Sequence, residues 1–537
     1  MSNYIVGFDF GTHQTKICIQ NVTNPEQKTF KFFEFKDLNK RSCFFLPSVV
    51  QINQDETVSY GYVDEEICLK LKCLETIEEP VLELLEEPPF PILPDKIKSI
   101  YPKKPIEDTR KDFLQKQKGE KISLNLWNDG SEIFDTQCDA EMKKQKSKQL
   151  EEYNKQCKYI RQINGKRKKI YQKRFAEWKR NLECQKLQFR YFKLKAFINS
   201  GPWDSKGFSA EKITVWYIAY ILLLLRKELG DFTVHFGIPI GGTNDKLNKQ
   251  IKQRAYKLYI SADILTKKYN NNLEEFLNEN YKELDRKTQI ISSPTEKLIN
   301  SYYFDDFPEA FAGLISVTQQ KKLGLGFHIL VDIGGGTTDI ALFVVRKGLP
   351  DVIKIISFPK GLNFIFGKIL NKNGQFSFNE LQELFFFNSR QRIFSYAIKV
   401  YKEELRKKGL GLIHELYNVF SEQSNQHNKN ISDLTRAIDN QPIIYCGGGA
   451  MHQILHINID RFTDKRRINK EMLCIKNLIN ENQIPEELYS ILAVSYGLAA
   501  YEKGYKKDIE FTDISNIFDN IKYQLVDQKP EYGLSDD

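Results

Sequence analysis

The sequence predicts an α/β protein of two related lobes around a shared cleft, and three observations carry that prediction. A glycine-tipped hairpin is written into residues 328–345. A gap-free copy of its centre stands within the first twenty residues. The chain is 537 residues long, which at about 150 residues per domain is room for three to four compact units.

The hairpin reads H-I-L-V-D-I-G-G-G-T-T-D-I-A-L-F-V-V from His328 to Val345. Ile329, Leu330 and Val331 lead into Asp332, the turn is Gly334, Gly335, Gly336 and Thr337, and a β-branched run from Ile340 leads away. Glycines without Cβ atoms let successive N–H groups close on an anion, and Thr337 and Thr338 add hydroxyls. Asp332 and Asp339 would repel a phosphate unless a cation stood between, so the pattern asks for a magnesium nucleotide. The copy runs from Asp9 to Ile19, matching Asp9 to Asp332, Gly11 to Gly334, Thr15 to Thr338 and Ile17 to Ile340. An internal duplication of this kind suggests two lobes, each offering a phosphate-gripping turn to one cleft.

Composition excludes several classes. With 41% apolar and 12% aromatic residues the chain is no disordered polymer. Its nine cysteines show no C-x-x-C pair and no zinc spacing, so free thiols in a reducing cytoplasm are expected. No secretory leader is visible, and the most apolar run, Ile213 to Leu225, is too short for a bilayer, which takes about 20 residues.

Charge is unevenly spread. Residues 141–200 hold 19 Lys or Arg against 5 Glu, a net +14, while the whole chain is +9. Tyr153, Cys157 and Ile160, then Tyr171, Phe175, Trp178 and Leu182, are spaced for helix, and Asn164-Gly165 between them suggests a turn. The expected shape is a basic helical hairpin, solvated or facing an acidic protein partner, with nucleic acid the less favoured ligand. Proline-rich stretches at Glu87–Pro91 and Tyr101–Pro105 are expected to be extended.

Taken together, the two hairpins resemble phosphate motifs one and two of the actin, sugar-kinase and seventy-kilodalton heat-shock (DnaK-type) ATPase superfamily, and D-I-G-G-G-T-T-D is closest to the heat-shock branch. Pro47-Ser48-Val49-Val50, the strand Thr233–Pro239 and the helix Ala493–Ala500 resemble further family segments. Ile443–Ala450, a strand entering Gly447, Gly448 and Gly449, resembles the adenosine motif. The resemblance covers residues 1–62 and about 209–505. It implies duplicated ribonuclease-H-like domains: lobe I at 1–208 with a divergent insert at about 63–205, lobe II at 209–495, and a return helix with a polar tail at 496–537, too short for a peptide-binding domain. It also implies ATP or ADP with Mg²⁺ in the cleft. Gly11, Thr12, His13 and Gly334–Thr337 would hold phosphates, Gly447–Gly449 and Lys402 the adenosine end, and Asp9, Asp332 and Asp339 the cation.

The family's catalytic Glu before Pro is replaced here by Phe307 before Pro308. A phenyl ring cannot orient water. Asp306, Glu309 and Asp332 are the candidate substitutes, although two positions along a helix would turn Glu309 by about 200° from the expected direction. The expected function is a heat-shock-like ATP switch in the cytoplasm, with slow hydrolysis, working through an unidentified protein partner. A pseudo-ATPase scaffold, an actin-like filament protein and a small-molecule kinase are the alternatives.

Overall fold

The computed structural model describes residues 3–24, 28–70, 79–91, 124–199, 205–239, 245–300, 302, 304–318, 326–346, 349–373, 376, 378–388, 392–423, 443–455 and 484–501. The chain divides into two compact units, Met1–Glu75 with Arg180–Asp537, and Thr76–Lys179. The Tyr101–Pro105 stretch and the polar tail after Tyr501 lie outside the described residues.

The first unit is mixed α/β. Its strands are β1 (Tyr4–Phe10), β2 (Gln14–Asn21), β3 (Thr29–Phe32), β4 (Phe35–Lys36), β5 (Ser42–Cys43), β6 (Leu46–Pro47), β7 (Val49–Ile52), β8 (Val58–Tyr60), β9 (Gln188–Arg190), β10 (Thr233–Ile238), β11 (Phe304–Pro308), β12 (Gly326–Ile333), β13 (Thr338–Arg346), β14 (Leu349–Phe358) and β15 (Ile443–Cys446). One large sheet runs β11-β10-β1-β2-β3, with β6 beside β2, and the other runs β14-β13-β12-β15. In both, an antiparallel meander of three strands carries a parallel strand beside its first member, β10 on β1 and β15 on β12. The repeat read in sequence at the hairpins therefore extends to strand order.

Burial explains why these strands read as continuous apolar runs. Central strands covered on both faces need no polar alternation, and in β1 every residue from Val6 to Phe10 is buried, the alternate Gly7 and Asp9 included. The helix Ala210–Leu229 starts at Ser209, whose side chain accepts from Lys212 N–H, and stops at Gly230 at φ +71°. Its buried side chains join the core of the first sheet. A third core cluster takes Cys18 and Phe32 from the first sheet, Leu330 and Phe343 from the second, and the helices Glu309–Thr318 and Tyr489–Ala500. These helices cross so closely that a Cβ on Gly497 would stand 1.7 Å from the Ala312 carbonyl oxygen. His235 is a strand residue of this core, its Nδ1 2.8 Å from Leu498 O.

Residues 124–185 correct one expectation. Instead of a helical hairpin they form one continuous helix, Leu124–Gln185. Gly165 costs an exposed helix only about 1 kcal/mol, and Asn164 binds both backbone groups of Leu85, N–H to Oδ1 at 2.9 Å and Nδ2 to O at 2.8 Å. The end of the basic block is not part of that helix. Residues 186–199 return to the first unit as β9 and the helix Phe192–Ile198, because Phe189, Phe192 and Phe197 are buried in its core.

Among the described residues no helix is long and apolar enough to cross a membrane. Cys18, Cys43, Cys68, Cys157 and Cys446 are free thiols.

Candidate functional site

The tips of the two hairpins meet. A Cβ on Gly335 would lie 2.2 Å from His13 Cδ2, and one on Gly336 would lie 2.8 Å from Thr12 Oγ1. Only backbone fits there. Each turn is held from behind through its carbonyls. Ser48 N–H and Oγ bond His13 O and Gly11 O, both at 2.8 Å. At the other turn, Leu362 and Asn363, which open the helix Leu362–Asn373, donate to Gly334 O at 3.1 Å and Gly335 O at 2.8 Å.

A buried Thr–Tyr pair anchors each hairpin just after its turn. Thr15 Oγ1 is 3.1 Å from the hydroxyl of Tyr217, on the helix Ala210–Leu229. Thr338 Oγ1 is 2.7 Å from the hydroxyl of Tyr401, on the helix Ser395–Gln423, and donates to Lys360 O at 2.7 Å. Thr15 and Thr338 are matched positions in the repeat, but nothing local in sequence identifies their tyrosine partners, which lie 202 and 63 residues away.

Between the tips is a cleft of about 90 Å³, well under the roughly 300 Å³ at which small-molecule sites begin. Asp9, Thr12, His13, Gly334, Gly335 and Thr337 line it from the hairpins. Asp332 and Asp339 line its floor, and Gly447 and Gly448 enter from β15. Gly449 packs instead on Ile333. Lys16, Lys193, Gln382 and Ile491, none of them singled out in sequence, also face it. Lys402 lies outside this lining; on its helix it is the neighbouring Tyr401 that reaches the hairpin.

The charged groups are paired unequally. In the first hairpin Asp9 stands across the ladder from Lys16 and binds its Nζ at 2.8 Å. In the second, Asp332 stands across from Asp339, two carboxylates in the positions of a carboxylate and a lysine. Like charges directly opposite are destabilising. Burial, with help from Glu309 and Asp9, pushes the Asp332 carboxyl up to about 7. Burial and Asp332 push Asp339 well above the usual carboxylate range. Asp339 Oδ1 is buried without a hydrogen-bond partner. Gly447, at φ +79°, lies so close to Asp332 that a Cβ would come within 2.1 Å of its Oδ1.

The second hairpin thus lacks the cation that Lys16 supplies in the first. Among the described residues no three His, Cys, Asp or Glu side chains are gathered to hold a metal unaided. Magnesium usually takes one or two carboxylates and fills its shell with water and phosphate oxygens, so Asp332 and the orphaned Asp339 oxygen fit it.

Phe307 and Glu309 have separate surroundings. Phe307 ends in the core, its ring 4.0 Å from that of Tyr501 and 5.1 Å from that of His235. Glu309 lines the cleft and accepts from Lys193 Nζ at 2.5 Å in a buried ion pair. The expected 200° turn does not apply, because Phe307 belongs to strand β11 and the helix begins only at Glu309. Asp306 pairs in that strand with Phe236, and its side chain lies outside the described residues.

No protein-family model and no curated protein matches the chain. Among solved structures, the ethanolamine utilization protein EutJ from Carboxydothermus hydrogenoformans is similar over 56% of this chain and 79% of its own, at 16% identity and a TM-score of 0.27. At that score the likeness carries no argument by itself.

Proposed function

We propose that this chain is an ATP-dependent molecular switch of the actin and heat-shock type, two lobes closing on a magnesium nucleotide. The observation that carries the reading is the contact of two matched glycine turns, Gly11–His13 and Gly334–Thr337, over a carboxylate floor that lacks one cation. The repeated strand order and the repeated Thr–Tyr anchors support it. Backbone N–H groups of the turns, with Thr12 and Thr337, would bind phosphate oxygens; Asp332 and Asp339 would hold the hydrated cation, which supplies charge neutralisation when bound. Gly447 and Gly448 would lie against the nucleoside.

Slow turnover belongs to this reading. The residue before Pro308 is packed in the core, and Glu309, which follows Pro308 and lines the cleft, is paired with Lys193. A carboxylate already engaged by an ammonium group is not free to orient an attacking water. A nucleotide-binding scaffold without hydrolysis is the second reading, favoured by the same pair.

Calorimetric titration with ATP tests the proposal. Binding that needs Mg²⁺ and disappears in Gly335→Val, whose added side chain would strike His13, is the expected result. A protein indifferent to nucleotide overturns it.

A further inference from the structure

The long helix Leu124–Gln185 is accompanied over its middle by residues 79–91. Residues 79–91 lie extended, without helix or strand, and four of them, Glu79, Glu83, Glu86 and Glu87, are acidic with no basic residue among them. Proline at positions 80, 88, 89 and 91 fixes φ and keeps the segment from helix. It runs antiparallel along the helix Leu124–Gln185. Phe90 meets Tyr153 edge to face at 5.2 Å. Glu87 takes Arg161 in a two-pronged pair at 2.6 and 3.1 Å. Leu85 gives both backbone groups to Asn164, and Glu83 O accepts from Arg167 at 3.2 Å.

Over the whole contact the segment and the helix cover matching lengths. From Phe90 to Glu83 the segment advances seven residues while the helix advances fourteen, from Tyr153 to Arg167. At roughly 3.1 Å per extended residue and 1.5 Å per helical residue, both distances are about 21 Å. Averaged over the four contacts, one extended residue accompanies two helical ones. Asn164 reads backbone, as a neighbouring strand would, and Arg161 reads a carboxylate through its planar fork. Neither contact depends on the rest of the segment's side chains.

These contacts are also exposed. Arg161 is 71% and Glu87 39% exposed, and ion pairs so placed are screened and weak. Phe90 remains more than half uncovered, and Leu85 stays partly exposed. Lys158, Lys166, Lys168, Lys169, Lys173 and Arg174 of the same stretch are exposed as well, so four glutamates leave positive charge over.

From this we infer that the helix Leu124–Gln185 is a recognition surface for acidic, proline-containing extended segments of a partner protein, and that residues 79–91 occupy it in cis as an exchangeable strap. A partner's segment gains the same Asn164 and Arg161 contacts and exchanges with the strap instead of adding to it.

The probe is a fluorescent synthetic peptide with the sequence of residues 79–91, added to the full chain. In the variant Glu87→Ala/Phe90→Ala, which loosens the strap and leaves the helix face intact, the peptide is expected to bind at least tenfold tighter than in the natural chain. Adding Arg161→Glu is expected to remove binding, and a peptide with Arg at position 87 is expected to restore it, which a merely unfolded helix would not allow. Equal binding to the natural and loosened chains, or no rescue by the reversed peptide, overturns the inference. A duplex DNA that binds the loosened chain more tightly than the peptide, with a steep salt dependence, also overturns it, in favour of a nucleic-acid surface.

Discussion

The imidazole of His13 hydrogen-bonds the side chain of Asn363 across 350 residues of sequence, and so joins the first glycine turn to the helix that supports the second. Its other nitrogen takes Gln382 Nε2 at 3.0 Å. With Gln382 donating to Nδ1, the remaining proton sits on Nε2 and is donated to Asn363 Oδ1, so the ring works as the neutral tautomer. His13 and Gln382 both line the cleft between the turns.

Burial lowers the His13 pKa to about 4. The unfolded value near 6.5 is higher, so the unfolded chain takes up the proton first as pH falls. The stabilisation from neutral His13 is present above about pH 6.5 and is lost as pH falls towards 4, by an amount on the order of 2–3 kcal/mol. Urea unfolding of the natural chain and His13→Gln at several pH values should show their stability difference shrinking across that window. A difference independent of pH would mean that His13 titrates normally.

Asp332 has the opposite sign. Its folded pKa of about 7 lies above the unfolded carboxylate value, so the folded state loses stability as pH rises from about 4 through 7. Asp332→Asn is predicted to stabilise the chain at pH 8 by a few kcal/mol. If Mg²⁺ with ATP binds between Asp332 and Asp339, binding at pH 6.5 should release protons from both carboxyls, and the variant, left with Asp339 alone, should release fewer. Calorimetry in buffers of different ionisation enthalpy reads the proton directly; no release in the natural chain would place the cation elsewhere.

Lys193→Met should cost about 3–5 kcal/mol, because Glu309 would be left buried without its partner. The double variant Lys193→Met/Glu309→Gln should recover most of that loss. Chemical denaturation of the three proteins forms the cycle, and a double variant no better than the single one would show that Lys193 acts through other contacts.

Gly497→Ala should destabilise by about 1–3 kcal/mol or more, since the added methyl collides with the Ala312 carbonyl where the two central helices cross. Gly165→Ala, at an exposed helix position, should do the reverse, raising helicity and stabilising the helix by about 1 kcal/mol. Thermal unfolding and circular dichroism separate the two, and equal effects at both sites would contradict the tight crossing.

The hairpins were legible because a glycine turn with flanking carboxylates is local chemistry, and because the duplication supplied a second copy as a check. Asp332 and Asp339 could be named for the same reason. Lys193, Gln382 and Tyr401 could not, since each reaches the site from an element distant in sequence and of ordinary composition. The helix at 124–185 misled for a related reason: Asn-Gly is a turn signal locally, but Asn164 finds its partner in Leu85, 79 residues earlier.

By itself the sequence determined where the chain turns on glycine, which apolar runs flank those turns, and that positive charge is concentrated in one block. Only the tertiary structure decided that the two turns touch, that Phe307 packs away from the cleft while Glu309 faces it, and that Lys16 balances one hairpin while the other keeps two carboxylates face to face. The physical reason is range: turn and strand preferences act over a few residues, whereas burial and pairing of charge depend on groups that only folding brings within a few ångströms.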